Sequence, residues 1–380
     1  MTSKERVLSA IRRQPVDYVP CSPFYSYLLP RQRTNYPVQL PWGESSRKEI
    51  EYNVTVLGVD PVVASGICYY QTGSAVTTKV WEEDGLLHKV YETPDGVLHA
   101  SVKLNELWPH GQDIPLYSDC NVGHFVKPWV QNSQDIACLR HIVQPVEPHS
   151  PAMERSRKRF EAAKELANRY NLAMTATAGL GLTGALHLFG VEGICLAILE
   201  RPDLVHAYLE LEHKANMRAI EMALDWDIDI IIRNGFYETA DYYGATTLKE
   251  FLGRHLLEEM NLVHQGGKVV VYTLNTGLMP ILDYLDELPF DFVFKMDTAK
   301  KYVDLNAVYN KLGAKKSFWT GPSGHNHMWS KDPAVVRQAV EEVFSVFGKQ
   351  GLILAACPSI QNIMPWENAL VMFEEWKRWR

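Results

Sequence analysis

The chain has 380 residues, 46% of them hydrophobic and 22% charged, with a formal net charge of -7 at pH 7. This is the composition of a globular protein with a large core, neither the low hydrophobicity of a disordered chain nor the cysteine density of a stapled secreted domain. Acidic and basic residues are mixed along the chain, so no positive face is offered to a phosphate backbone and nucleic acid is excluded as a partner.

The N-terminal stretch MTSKERVLSAIRRQPVDYVP spaces charges through an amphipathic pattern and lacks the continuous apolar core of a signal peptide. No apolar run of about 18 residues follows, so no membrane span is predicted and the expected location is cytoplasmic. Cys21, Cys68, Cys120, Cys138, Cys195 and Cys357 stand singly without a CxxC, which argues against a zinc ribbon or a redox motif.

Residues 5–13 read as a short helix and VDYVPCSPF (16–24) as a strand interrupted by prolines, leading into the loop PRQRTNYPVQLPWGES. GVDPVVASG (58–66) is a second strand. Three β-rich runs follow in AVTTKVWEEDGLLHKVYETPDGVLHASVKL, separated by the turn signals EDG and PDG, and predict an antiparallel insertion. Residues 105–150, with five prolines and four histidines, read as an irregular linker.

From residue 151 the chain repeats one unit. After the helix PAMERSRKRFEAAKELANRY, the runs NLAMTAT, IDIIIRN, KVVVYTL, FDFVFKM, KSFWTGP and GLILAAC are each followed by a helix-period segment. They lack polar alternation, as strands of a parallel sheet covered on both faces do. With the two earlier strands the count is eight, that of a (β/α)8 TIM barrel, an α/β fold with its site at the C-terminal strand ends. The prediction is one domain over 1–380 with a β insertion at about 75–150. An open doubly wound sheet is the alternative.

Five features carry candidate chemistry. Gly179, Gly181 and Gly184 spell a GxGxxG, which either cradles a pyrophosphate or is a turn shaped for close packing; no acidic residue ends a second strand downstream. His325 and His327 follow the strand KSFWTGP, where two imidazoles can hold a metal or an anion or simply sit on the surface, with Trp329 beside them as a substrate contact. Asn234 and Glu238 follow IDIIIRN; the carboxylate can serve as acid, base, ligand or cap. Cys357 closes the last strand, as ligand, nucleophile or buried hydrophobe. KVVVYTLNTG ends in Tyr272, Thr273 and Asn275, with no His, Cys, Asp or Glu.

Taken together, ERVLSAIRRQPVDYVP, TATAGLGLTGALHLFGVEGICLAILERPDLV and the C-terminal DPAVVRQAVEEVFSVFGKQGLILAACPSIQNIMPWENALVMFEEW resemble the uroporphyrinogen decarboxylase superfamily, which includes zinc-dependent, corrinoid-linked methyltransferases. Pro365, Glu367 and Asn368 after Cys357 are the most specific part of the likeness, and the glycine turn belongs to the barrel segment of that family. The porphyrin decarboxylases carry an RQAGRY-type arginine segment, of which Arg31-Gln32-Arg33-Thr34-Asn35-Tyr36 is a displaced echo, and a His where this chain has Cys357. The methyltransferases hold zinc through His-x-Cys after one strand and a Cys after the last. Cys357 matches the last ligand, and His-x-Cys falls on Tyr272-Thr273-Leu274.

The resemblance implies a methyltransferase moving a methyl group from a small methoxylated aromatic or methylamine-like donor to a corrinoid protein. Catalytic roles fall to Glu238, Tyr272 and His325, substrate contacts to Asn234, Asn275, His327 and Trp329, and a zinc ion to Cys357, Glu238 and His325. The expected partners are the methyl donor, the corrinoid protein and, in a homodimer, a second copy of the chain. A metal-free decarboxylase or lyase of porphyrin or aromatic acids, and a non-catalytic ligand-binding barrel, are the alternatives.

Overall fold

A computed structural model describes residues 1–26, 45–299 and 301–380; the RQRTNY echo at 31–36 lies outside them. Seven parallel strands form one curled sheet in chain order: β1 Val63–Ala64, β2 Met174–Ala178, β3 Ile230–Asn234, β4 Val269–Thr273, β5 Phe292–Asp297, β6 Ser317–Gly321 and β7 Leu352–Leu354. The sheet is barrel-like but not closed. Eight strands were expected, and the segment read as the first is a near-strand in the gap between β7 and β1. There the Ser22 N–H donates to Leu354 O and the Leu354 N–H to Pro20 O, both at 2.9 Å, while the Asp60 N–H donates to Cys21 O at 2.7 Å. Pro20, Pro23 and Pro61 lack the N–H groups that a longer ladder needs, so only the Cys21–Leu354 bridge forms.

Alternation along these strands divides the apolar residues into two cores. Ile230, Ile232, Val269, Val271, Phe294 and Trp319 fill the inside of the barrel. Ile231, Val270, Tyr272 and Val293 face the surrounding helices. The first helix, Ser3–Ile11, starts at a Thr2–Glu5 capping box and adds Val7, Ala10 and Ile11 to the inner core. It lies across the N-terminal strand ends, where Ser317 Oγ donates to Ala10 O at 3.2 Å and Ile11 O at 2.9 Å. Burying such side chains contributes about 1.5–3 kcal/mol each, and it closes that end of the barrel. Among the later helices, Pro333–Phe347 has the predicted Asp332 cap, the buried stripe Val336, Val340, Val343 and Phe347, and Gly348 at its end.

The insertion is a four-stranded antiparallel sheet of Thr77–Glu83, Leu86–Thr93, Gly96–Lys103 and Phe125–Lys127. Its first turn, Asp84-Gly85, has both residues at positive φ, as tight hairpins require. The segment 105–150 is less irregular than its prolines suggested. It includes the helix Ser133–Ile142, started by an Asn132–Asp135 capping box and held by buried Ile136, Leu139 and Ile142. Those three residues have helical spacing, but the run is too short to stand out among the prolines.

Candidate functional site

The end of β4 shows how alternation sorts the expected site residues. Val269 and Val271 point into the barrel and Val270 away from it, so Thr273 and Asn275 follow the inward set while Tyr272 faces the helices. Tyr272 and Glu238 are both fully buried, and the Tyr272 hydroxyl donates to Glu238 Oε2 at 2.5 Å. The other carboxylate oxygen accepts from the Leu182 N–H at 2.9 Å and lies 3.4 Å from Arg233 Nη2. Arg233 also donates through Nε to Glu259 Oε2 at 2.8 Å, and Glu259 Oε1 is held by Asn216 and His213 at 3.0 Å each. Burial pushes Glu238 up to about 7, against the pull of Arg233 and the Tyr272 hydrogen bond. This is a closed network between sheet and helices. The catalytic roles expected of Glu238 and Tyr272 are not supported by that placement, since neither group is open to a substrate.

The same network settles the glycine motif. The N–H groups of Leu180 and Gly181, at the start of helix Gly181–Phe189, donate to Glu212 at 2.5 and 3.1 Å, and the next N–H goes to Glu238. A helix N-terminus attracts anions, but here two of the protein's own carboxylates hold it. Gly181 has φ +50°, and a Cβ there would collide with Glu238 Oε1. The turn is shaped for packing.

At the open C-terminal end, Asn234 and Thr273 close β3 and β4 and Asn275 follows just after β4, with Thr273 Oγ1 donating to Asn234 Oδ1 at 3.4 Å. The Asn275 side-chain oxygen is buried without a hydrogen-bond donor. Strict alternation along β5 would turn Lys295 outward. The register slips between Phe294 and Asp297, and Lys295 takes φ +68°. This brings its ammonium over the rings of Phe24, Phe294 and Phe236 at 4.9, 5.2 and 5.3 Å from their centres. Desolvation lowers Lys295 to about 8, with the Cys357 side pulling it back up.

Beside it, Ser323 Oγ donates to Asp297 Oδ2 at 2.9 Å and the Ala299 N–H to Asp297 Oδ1 at 2.8 Å. Burial raises Asp297, opposed by these bonds and by the nearby His327 and His325. The Ser323 N–H donates to His327 Nδ1 at 3.0 Å, which leaves any ring proton on Nε2. Ser323 also pairs with Cys357 in a parallel bridge. Burial pushes the Cys357 thiol up to about 12, so it is a neutral S–H, near Ala355 O at 3.5 Å and Trp319 O at 3.8 Å.

Of the expected residues, Asn234, Asn275, His327 and Cys357 thus lie around the mouth, while His325 is exposed and Trp329 is 45% exposed on the same short helical turn. Lys295, Asp297 and Ser323 were missed. The one signal was a lone lysine in an otherwise apolar strand. Among the described residues, no three of His, Cys, Asp and Glu converge on a point where they could hold a metal ion. The expected zinc set of Cys357, Glu238 and His325 is therefore not assembled: Glu238 is bound to Arg233 and Tyr272 behind the sheet. Tyr272 and Leu274, where the resemblance puts the His and Cys, are both buried in the core between sheet and helices, and neither is one of the usual zinc ligands.

No family model matches the chain, and no curated protein sequence matches it. Among solved structures, a methyltransferase from Methanosarcina mazei matches over 100% of this chain and 99% of its own, with a TM-score of 0.63 at 16% identity. A B12-independent methionine synthase from Shewanella sp. W3-18-1, in complex with selenomethionine, matches over 95% of this chain and 96% of its own, with a TM-score of 0.51 at 10% identity. At such identities the likeness is one of fold, and it includes the insertion as well as the barrel.

Proposed function

We propose that the chain is a methyltransferase of the uroporphyrinogen decarboxylase-like type, taking a methyl group from a small donor at the barrel mouth and passing it to a corrinoid carried by a separate protein. The supporting observation is the end-to-end fold likeness to the Methanosarcina mazei methyltransferase, which spans both chains in full. The residues do not fit a zinc site, so no step is assigned to one.

Moving a methyl group off oxygen or nitrogen leaves a basic atom that needs a proton. In this reading Asn234 and Asn275 orient the donor. His325, exposed on the turn after β6, supplies the proton, and the buried Asp297, held by Ser323 and the Ala299 N–H, is the fixed negative charge nearby that favours the protonated ring. The three phenylalanines around Lys295 keep water from the donor's apolar part. Decarboxylation of a many-armed porphyrin acid finds less support: Arg233, the arginine of the sheet, is turned to the helices and paired with Glu259 and Glu238.

The test is a transfer assay with a panel of O-methyl and N-methyl donors, reduced cobalamin as acceptor, and wild type beside Ser323→Ala. Demethylated product with methylated cobalamin is expected, slowed about a hundredfold in the variant. Product that has lost carbon dioxide with no methylated cobalamin from any donor would replace this reading with the lyase.

A further inference from the structure

Among the described residues, the fully buried cations all have oxygen partners. Arg6 meets Asp17 and Asp60 at 2.6 Å each, and Lys89 meets Asp113 at 2.7 Å. Arg233 meets Glu259 at 2.8 Å. Lys316, which also lies against a phenylalanine ring, donates to the carbonyls of Leu288 at 2.5 Å and Phe290 at 3.1 Å. Among the described residues, the half-buried Lys295 has neither a carboxylate nor a carbonyl: around its ammonium are three phenylalanine rings, and the titratable group facing it is the neutral Cys357 thiol. Asp297, two residues on, is turned to Ser323 and the Ala299 N–H.

A cation drawn out of water without a counter-ion is costly. Here the chain incurs that cost actively, because a bulge and a left-handed backbone at a non-glycine residue are needed to turn Lys295 inward. The residue remains partly accessible from the mouth. Just beyond the end of the neighbouring strand β4, the buried Asn275 side-chain oxygen lacks a donor among the described residues. An unpaired cation and an unpaired acceptor on one rim, above an aromatic floor, describe the complement of a ligand.

We infer that Lys295 anchors a carboxylate of the substrate, so that the methyl donor is a small carboxylic acid whose apolar or aromatic body lies against Phe24 and Phe236. Asn275 accepts a hydrogen bond from a hydroxyl or N–H of the same molecule. The inference deepens the proposed function by naming the donor's class, and rests on it for the donor's place in the mouth.

The test reads binding alone. Calorimetry compares para-methoxybenzoate and methoxyacetate with their neutral primary amides on wild type, Lys295→Met and Lys295→Arg. At least one acid is expected to bind wild type about tenfold or more tightly than its amide. Lys295→Met loses that preference and Lys295→Arg keeps part of it. Equal binding of acid and amide by wild type, no binding of either acid, or a preference that survives in Lys295→Met overturns the anchor. The wild-type comparison needs no variant to fold. An acid preference in a protein that transfers no methyl group would retire the proposed function and keep the anchor; methyl transfer with no acid preference would do the reverse.

Discussion

Tyr272 and Glu238 are joined by a 2.5 Å hydrogen bond, and neither is open to solvent. The bond ties the end of β4 to the loop after β3 from the helix side. Tyr272→Phe strands one buried carboxylate oxygen, which costs about 2 kcal/mol. Urea unfolding is expected to show that loss, with donor binding at the mouth unchanged. A large fall in donor affinity without loss of stability would place the phenol in the site after all.

Glu238 also predicts a pH dependence. Burial raises it from 4.5 to about 7, so between those values the folded protein binds its proton more tightly than the unfolded chain. This group's contribution to stability therefore falls as pH rises through that window. Glu238→Gln removes the titration, and the stability of the variant relative to wild type is expected to improve between about pH 5 and about pH 8. A constant difference across unfolding curves at the two values would refute it.

At Gly181 a positive φ combines with crowding: the place an added methyl group would take is already filled by Glu238 Oε1 and Arg233 Nη2. Gly181→Ala is expected to destabilise by about 3 kcal/mol. Gly253 is the control: it lies within helix Ala245–Gln265, and an added Cβ meets only Lys249 Cγ at 3.7 Å. Gly253→Ala should gain about 0.5–1 kcal/mol. Thermal unfolding of the two variants against wild type checks both signs.

Lys295 is lowered to about 8 by desolvation, so its charge is present below that pH and lost above it. Affinity for a carboxylate ligand is expected to be full at about pH 7 and reduced several-fold at about pH 9.5, while Lys295→Arg, which stays charged, shows no such fall. Calorimetry at the two pH values measures it. An equal fall in both proteins would assign the titration to another group.

Metal analysis gives a direct check on the missing ligand set. Protein purified without chelators is expected to carry no stoichiometric zinc, and Cys357→Ala to leave the metal content unchanged. One zinc per chain that disappears with Cys357 would mean that ligands converge in solution as they do not here.

The repeated strand and helix pattern was legible because the strands are apolar runs and the helices between them carry buried stripes, with a cap as well in Pro333–Phe347. The eighth strand was read from its apolar residues but does not form a ladder, because Pro20, Pro23 and Pro61 cut it to one bridge. The location of the mouth followed from the fold, but the direction of each side chain did not. Tyr272 and Glu238 looked like site residues because they sit at strand ends, and a shift of one position sends a side chain to the opposite face. Lys295 shows the converse: regular alternation would turn it to the helices, and the bulge that reverses it has no signature in FDFVFKMD. Asp297 and Ser323 meet only because β5 and β6 end side by side.

The helix Ser3–Ile11 across the floor of the barrel has a kinetic consequence. With its N-terminal end plugged by Val7, Ala10 and Ile11, the interior is reached from the C-terminal strand ends, and under the proposed function that is also the end a protein-borne acceptor approaches. An acceptor seated there covers the way in. Under the proposed function, binding is then expected to be ordered: donor first, acceptor second, with the demethylated product leaving only after the acceptor has gone. Steady-state kinetics should show excess acceptor inhibiting by occupying the empty enzyme, with high donor relieving that inhibition.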